Sequence, residues 1–225
     1  MGVKPGLVLQ HGPAGPPGVF GEWLGRKGIE HEIVPVWRNA TLPDPTPRRF
    51  IVSLGSQHSV SDREPDWIPA ELSHLRQAVA ADVPVLGLCF GGQALSTVLG
   101  GGVGTLERPE IGWLRVRTKS DWLAPGPWLH YHKEVFHVPA GAQQLAENDV
   151  GPAAFAVGPH LGVQFHPEAT PEMVDTWASK DDNLKAAAVT HEELAAQSAR
   201  YAAEAREAAL RLFDAWWRTA EGRMR

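Results

Sequence analysis

The run Val83-Pro-Val-Leu-Gly-Leu-Cys-Phe-Gly-Gly-Gln-Ala-Leu-Ser-Thr-Val-Leu-Gly100 constrains the fold more than any other part of the chain. An apolar, β-rich segment, Val83–Leu88, passes into a helical pattern over Gln93–Leu99 with only a glycine-flanked cysteine turn between them. A strand that feeds a helix this directly is half of a βαβ unit, and the next strand of such a unit lies parallel to the first. The same grammar precedes it. Short β-rich runs at Gly6–Gln10, Glu32–Val36 and Phe50–Leu54 alternate with helical patterns at Val19–Lys27 and Pro69–Ala81. Within Val19–Lys27, Phe20, Trp23 and Leu24 share one face, and Gly28 can close the helix. After about residue 103 the β-rich runs Trp113–Thr118, Trp128–Tyr131, Ala153–Val157 and Leu161–Phe165 come with little helix between them, which predicts an antiparallel extension. The expected class is α/β, an open, doubly wound, mixed but mainly parallel sheet flanked by helices.

The last third changes character. Thr190–Thr219 is rich in Ala and Glu, and Leu194, Tyr201, Leu212, Phe213 and Trp216 fall near one helical face. Thr190 with Glu193 forms a capping-box signature. A terminal helix packed on the domain is expected, with a partner or dimer surface as the sharper alternative. No repeat or low-complexity linker divides the 225 residues, so one domain over 1–225, with 190–219 as a helical extension, is the expected organisation. One cysteine, Cys89, permits no internal disulfide, and the Met1–Gly2–Val3 start shows no secretory h-region, which together predict a cytoplasmic setting. No apolar stretch approaches the ~20 residues of a membrane span. A net charge of −5 without a basic cluster beyond Arg48–Arg49 argues against nucleic acid as a partner.

Cys89 stands at the end of its strand in Gly87-Leu-Cys-Phe-Gly91. This is the cysteine form of a nucleophile elbow, a sharp strand-to-helix turn that exposes the side chain above the sheet edge. Side chains at positions 87 and 91 would crowd the close approach of strand and helix. The helix start directs unpaired N–H groups and positive potential at the thiol, which favours the reactive thiolate. A thiolate nucleophile needs a base, and the base an orienting group. Gly162-Val-Gln-Phe-His-Pro-Glu168 supplies both. Pro167 pushes His166 into the extended region, so the imidazole leaves the strand end in a set direction, and Glu168 can hold one ring nitrogen while the other faces Cys89.

In this combination the chain resembles the class I, triad-type glutamine amidotransferases, and most closely those similar to the amidotransferase domain of GMP synthase. Leu7-Val-Leu-Gln-His11, Leu54-Gly-Ser-Gln-His-Ser-Val60, the Cys89 elbow with Gln93, Pro109-Glu-Ile-Gly-Trp113, the His130-Tyr-His-Lys-Glu134 loop and Gln164-Phe-His-Pro-Glu168 carry the resemblance, in family order. It implies a flavodoxin-like sheet and a stand-alone enzyme on which Cys89 attacks the glutamine side-chain amide to form a γ-glutamyl thioester. His166, oriented by Glu168, protonates the leaving ammonia and then activates water. The backbone N–H groups of Gly55 and Phe90 form the oxyanion hole. Gln93 helps hold the substrate, and backbone around Tyr131, His132 and Lys133 grips its α-groups. The chain departs from the family pattern at Leu54-Gly55-Ser56, where many relatives have Gly-Gly-Pro, at Gly91-Gly92, where Gly-His is common, and at His132-Lys133-Glu134, where His-x-Asp is usual.

Other residue patterns are weaker. Ten histidines invite a metal, and His130-x-His132 would share a strand face, but no carboxylate stands at ligand spacing, so no metal or other cofactor is expected. His11, His58, His74 and His160 carry no pattern and read as loop or surface residues. The nine tryptophans are scattered, which suits packing. Neither a P-loop nor a Ser-Gly-Gly-x-Asp pyrophosphatase loop is present. Acceptor activation would then fall to a separate synthase or acceptor enzyme. A γ-glutamyl hydrolase or peptidase using the same three residues is the nearest alternative, and a non-catalytic regulatory or binding subunit is the alternative from another class.

Overall fold

A computed structural model describes residues 4–38, 41–179, 181 and 183–223, so the Met1–Gly2–Val3 start lies outside the described residues. Strands β1 (Gly6–Gln10), β2 (His31–Pro35), β3 (Ile51–Ser53), β4 (Val85–Leu88), β6 (Arg117–Thr118), β8 (Gln143–Glu147), β9 (Pro152–Val157) and β10 (His160–Val163) form one sheet in the order β2-β1-β3-β4-β10-β9-β8-β6. The first five strands in that order run parallel, and β9, β8 and β6 extend the sheet antiparallel. A separate antiparallel hairpin pairs β5 (Val103–Leu114) with β7 (Trp128–Phe136). The fold class is the one expected.

Period-two alternation places the helices. Along the central strands Val8, Val52, Leu86 and Leu88 face one layer, where α1 (Gly18–Lys27) packs, while Leu7, Leu9, Ile51 and Val85 face α2 (Trp67–Ala80) and α3 (Phe90–Val98) on the other. Gly28 closes α1 at φ 62°, with the Ile29 N–H returning to the Leu24 carbonyl at 3.1 Å. The long C-terminal helix α6 (His191–Arg223) joins the first layer. Phe213, Trp216 and Trp217 pack with Phe20, Trp23 and Phe50 in one aromatic cluster. The capping box closes reciprocally, Thr190 N–H to Glu193 Oε2 at 2.8 Å and Glu193 N–H to Thr190 Oγ1 at 3.1 Å.

The structure corrects three local expectations. Trp113–Thr118 is not one strand, because β5 ends at Leu114 and β6 belongs to the main sheet. The His130–Glu134 segment is strand rather than loop, since β7 continues to Phe136 and pairs Glu110 with His132. An unexpected helix α4 (Pro171–Ala178) follows Glu168, started by Thr170 Oγ1 accepting the Met173 N–H at 3.4 Å and by Pro171 in the first turn. That Thr-Pro-Glu start is visible in the chain. Between α4 and α6 lies a single turn, α5 (Asn183–Ala186).

Candidate active site

Four parallel strands end at one edge, with His11 and Cys89 directly after β1 and β4, Gly55 two residues after β3 and His166 three after β10. This is the carboxyl edge of the sheet, where open α/β folds place their sites. Cys89 sits at φ 51° and ψ −105°, a conformation costly for a residue with a Cβ, and its neighbours hold it there. Its N–H donates to Val163 O on β10 at 2.9 Å, and the Gly91 N–H donates to Leu54 O after β3 at 3.2 Å. The glycine requirement is steric: a Cβ at Gly87 would collide with the Gly91 carbonyl, one at Gly91 with Ser53, and one at Gly92 with the Val163 carbonyl.

His166 is fixed from three sides. Its N–H donates to Leu129 O at 2.8 Å, its Nδ1 meets Glu168 Oε1 at 2.8 Å, and its ring packs against Trp177 with centroids 4.9 Å apart. With Nδ1 engaged, Nε2 is the nitrogen left for Cys89. His166 is 5% exposed and Glu168 2%, so little water screens the pair. Burial disfavours the charged ring, yet the adjacent Cys89 and Glu168 outweigh it and hold the imidazole well above its usual pKa. The Glu168 loop is anchored in turn, its carbonyl accepting the Val19 N–H at 2.9 Å at the start of α1.

The remaining predicted residues surround this centre. Gly55 lies directly against His166, for a Cβ there would stand 2.7 Å from His166 Cε1. Phe90 is the first residue of α3, where a backbone N–H has no carbonyl of its own helix to bond. The Tyr131 carbonyl lies 4.0 Å from Cys89 Sγ. Gln93 is buried and its Nε2 donates to Glu134 O at 2.9 Å, which ties α3 to β7. Lys133 is exposed, while the side chain of His132 turns inward.

Strand pairing supplies the carboxylate that the linear spacing of the histidines lacked. Glu110 Oε2 lies 2.7 Å from His130 Nδ1 and 3.0 Å from His132 Nε2, and this trio is the one group with ligand chemistry among the described residues. Asn148 Nδ2 donates to the other Glu110 oxygen at 2.8 Å. Burial works to neutralise Glu110, but the two rings prevail and keep its carboxyl well below the usual range. Burial also dominates at His132, pushing its ring below its ordinary value despite the Glu110 contact. Glu110 Oε2, His130 Nε2 and His132 Nδ1 are all buried without a hydrogen-bond partner, although a metal-bound histidine normally hands its distal N–H to an oxygen.

Sequence reasoning missed several residues here. His11, His74 and His160 are not surface residues but buried, at 7%, 4% and 5% exposure. His11 bridges Glu71 and the Gly55 carbonyl, and Ser53 Oγ donates to Glu71 at 2.6 Å. Trp177 reaches His166 from α4 and donates to Ala14 O at 2.7 Å. Gln164, part of a recognised motif, directs its Nε2 toward Cys89 Sγ at 3.8 Å. Only tertiary contact identifies what the first two groups touch; although His11 ends the Leu7–His11 motif, no residue spacing joins it to Glu71, and no linear pattern marks Trp177.

Comparison with known proteins shows the family. The family model described as Glutamine amidotransferase class-I matches residues 24–185. A GMP synthase [glutamine-hydrolyzing] of Aeropyrum pernix is 31% identical over 167 residues, covering 68% of this chain and 31% of that protein. One of Vibrio vulnificus is 34% identical over 98 residues, 39% of this chain and 19% of that protein. The chain therefore spans about a fifth to a third of the length of these curated relatives. A glutamine amido transferase from Methylobacillus flagellatus superposes with a TM-score of 0.86 at 26% identity, over 96% of this chain and 95% of that one. A glutamine amidotransferase from Thermotoga maritima shares the fold with a TM-score of 0.85 at 21% identity, over 98% and 100% of the two chains. No described helix is long and apolar enough to cross a membrane. The chain belongs to the class-I glutamine amidotransferase family.

Proposed function

We propose that the protein hydrolyses the side-chain amide of L-glutamine through a cysteine thioester and delivers the ammonia to a synthase or other acceptor enzyme. The observation that carries this reading is Cys89 held at φ 51° on the sheet edge beside a buried His166 whose other nitrogen is bound to Glu168 at 2.8 Å. The Cys89 thiolate attacks the amide carbon, and the C–O π pair moves onto oxygen. The Gly55 and Phe90 N–H groups receive that oxyanion. As the carbonyl re-forms, the C–N bond breaks and His166 Nε2 hands its proton to the leaving nitrogen, which departs as ammonia. His166, now neutral, takes a proton from water as the hydroxide adds to the thioester, and glutamate leaves with Cys89 restored as thiolate. Glu168 keeps the ring oriented and offsets its positive charge in both halves. Backbone around Tyr131, His132 and Lys133 grips the α-groups of the substrate, and Gln93, whose Nε2 donates to Glu134 O, helps hold it from α3.

A glutaminase assay on the purified protein, alone and with candidate acceptor enzymes, tests this. Glutamate release that is lost in Cys89→Ala supports it, as does labelling of Cys89 by a glutamine-mimicking electrophile that slows in His166→Ala. Turnover of γ-glutamyl peptides with none on glutamine would replace it with the hydrolase reading. No turnover on either, with Cys89→Ala behaving as wild type in every cellular assay, would leave a regulatory subunit.

A further inference from the structure

We infer that His11, locked by Glu71, is a positioning residue that sets the Gly55 turn for oxyanion binding. The inference rests on the proposed role of Gly55 and adds to it two residues from opposite ends of a connected network. Gly55 must be glycine because its α-carbon faces His166, where a Cβ would come within 2.7 Å of the ring. That necessity has a cost. A glycine is free to rotate about both of its backbone bonds, and an oxyanion donor works only when it is fixed before charge develops.

Both carbonyls flanking that freedom are held from outside. Leu54 O accepts the Gly91 N–H at 3.2 Å, which fixes the peptide carrying the Gly55 N–H. Gly55 O lies 3.1 Å from His11 Nδ1, which fixes the peptide that follows. A carbonyl can only accept, so His11 Nδ1 carries the hydrogen. The opposite nitrogen, Nε2, lies 2.7 Å from Glu71 Oε2, and Ser53 Oγ donates to Glu71 Oε1 at 2.6 Å. Ser53, two residues before Gly55, thus closes a loop of contacts through α2 and back to the same turn. Glu71 is fully buried, and the His11 and Glu71 side chains are 0% and 1% exposed, so water does not compete for these bonds.

The ring of His11 also touches the other proposed donor. It stacks on Trp67 with centroids 4.9 Å apart and 26° between planes, and it packs against Phe90, again at 4.9 Å. One imidazole therefore bonds the turn of Gly55 and braces the side chain of Phe90, the two residues whose N–H groups converge in the proposed mechanism. Nothing places His11 itself within reach of the reacting atoms, which makes it a positioning residue.

The test separates oxyanion geometry from the state of the thiol. Iodoacetamide alkylates a thiolate by displacement at a saturated carbon and builds no oxyanion, so it reports Cys89 and His166 alone. Asn at position 11 can present an N–H near the place of Nδ1, whereas Gln presents one near Nε2. His11→Gln is expected to lower glutaminase kcat on the order of 10²-fold, the scale of a compromised oxyanion donor. Its KM, its alkylation rate and the pH profile of alkylation should stay within about twofold of wild type, and His11→Asn should recover most of kcat. Wild-type kcat in His11→Gln, or an alkylation rate that falls in proportion to kcat, would overturn the inference. If His11→Gln does not fold by circular dichroism, Glu71→Met, which keeps the volume but offers His11 Nε2 no carboxylate or amide partner, is held to the same kcat and alkylation criteria. If the wild type leaves glutamine untouched, the glutaminase reading fails separately. Hydrolysis of a γ-glutamyl anilide, which also passes through an oxyanion, then serves as the kcat readout, and a protein inert to both substrates overturns the inference as well.

Discussion

Two buried histidine–carboxylate pairs reach Gly55, and the chain makes them in opposite ways. His166 and Glu168 are two residues apart, joined through Pro167 at the end of β10, and meet at 2.8 Å. His11 and Glu71 are 60 residues apart, one at the end of β1 and the other on α2, and meet at 2.7 Å. Their nitrogens are used alike, one on a carboxylate and one directed at the site, but the targets differ. His166 faces a thiol and can move a proton. His11 faces a backbone carbonyl and can only hold it. A histidine–carboxylate contact thus acquires its role from what lies on the far nitrogen, and the geometry of the contact itself does not distinguish the two.

Substitutions can break this comparison, and the largest effect belongs to the first pair. Glu168→Gln should lower glutaminase kcat on the order of 10²–10⁴-fold, the range of general acid–base catalysis, and should slow alkylation of Cys89 as well. A kcat loss with normal alkylation would make Glu168 resemble Glu71 instead. Gly55→Ala strikes the point where the pairs converge, and a Cβ 2.7 Å from His166 Cε1 should displace ring and turn together. A fall in kcat on the order of 10²–10³-fold, with alkylation slowed too, is expected from steady-state kinetics.

A subtler separation comes from titration. Since Cys89 and Glu168 favour the charged form of His166 against its burial, NMR should find its ring still protonated as pH rises past the ordinary value of ~6.5. Removing negative charge weakens the charged form, so Cys89→Ala should move the midpoint down, and an unchanged midpoint would contradict the coupling. Smallest is a change remote from both pairs. Thr190→Ala removes the capping box of α6 and should cost ~1 kcal/mol in urea unfolding, with kcat unaltered. A fall in kcat there would tie α6 to the site more closely than packing does.

The Cys89–His166 centre is legible in the chain because its information is local. A cysteine between Gly87 and Gly91, and a histidine followed by Pro167 and Glu168, each restrict their own backbone, and alternating strands and helices bring both to one sheet edge. The fold class is legible for the same reason, since burial follows the two-residue period of strands and the helical period of Val19–Lys27. Illegibility begins where partners come from different elements. Glu110 is 20 residues from His130 along the chain but joins it across the β5–β7 hairpin, a register that residue spacing does not encode.

The sequence by itself determined the Cys89 elbow, the His166–Glu168 strand end, the sheet that presents them and the capped helix at the end, because steric and hydrophobic patterns within a few residues decide those features. Only the tertiary structure decided that His11 is buried on Glu71 against Gly55, that Trp177 covers His166, and that the three aromatic side chains near the end of α6 complete the core under β1 and β3. These contacts depend on strand order and helix docking. They arise from the burial of whole faces, which no short stretch of residues can specify alone.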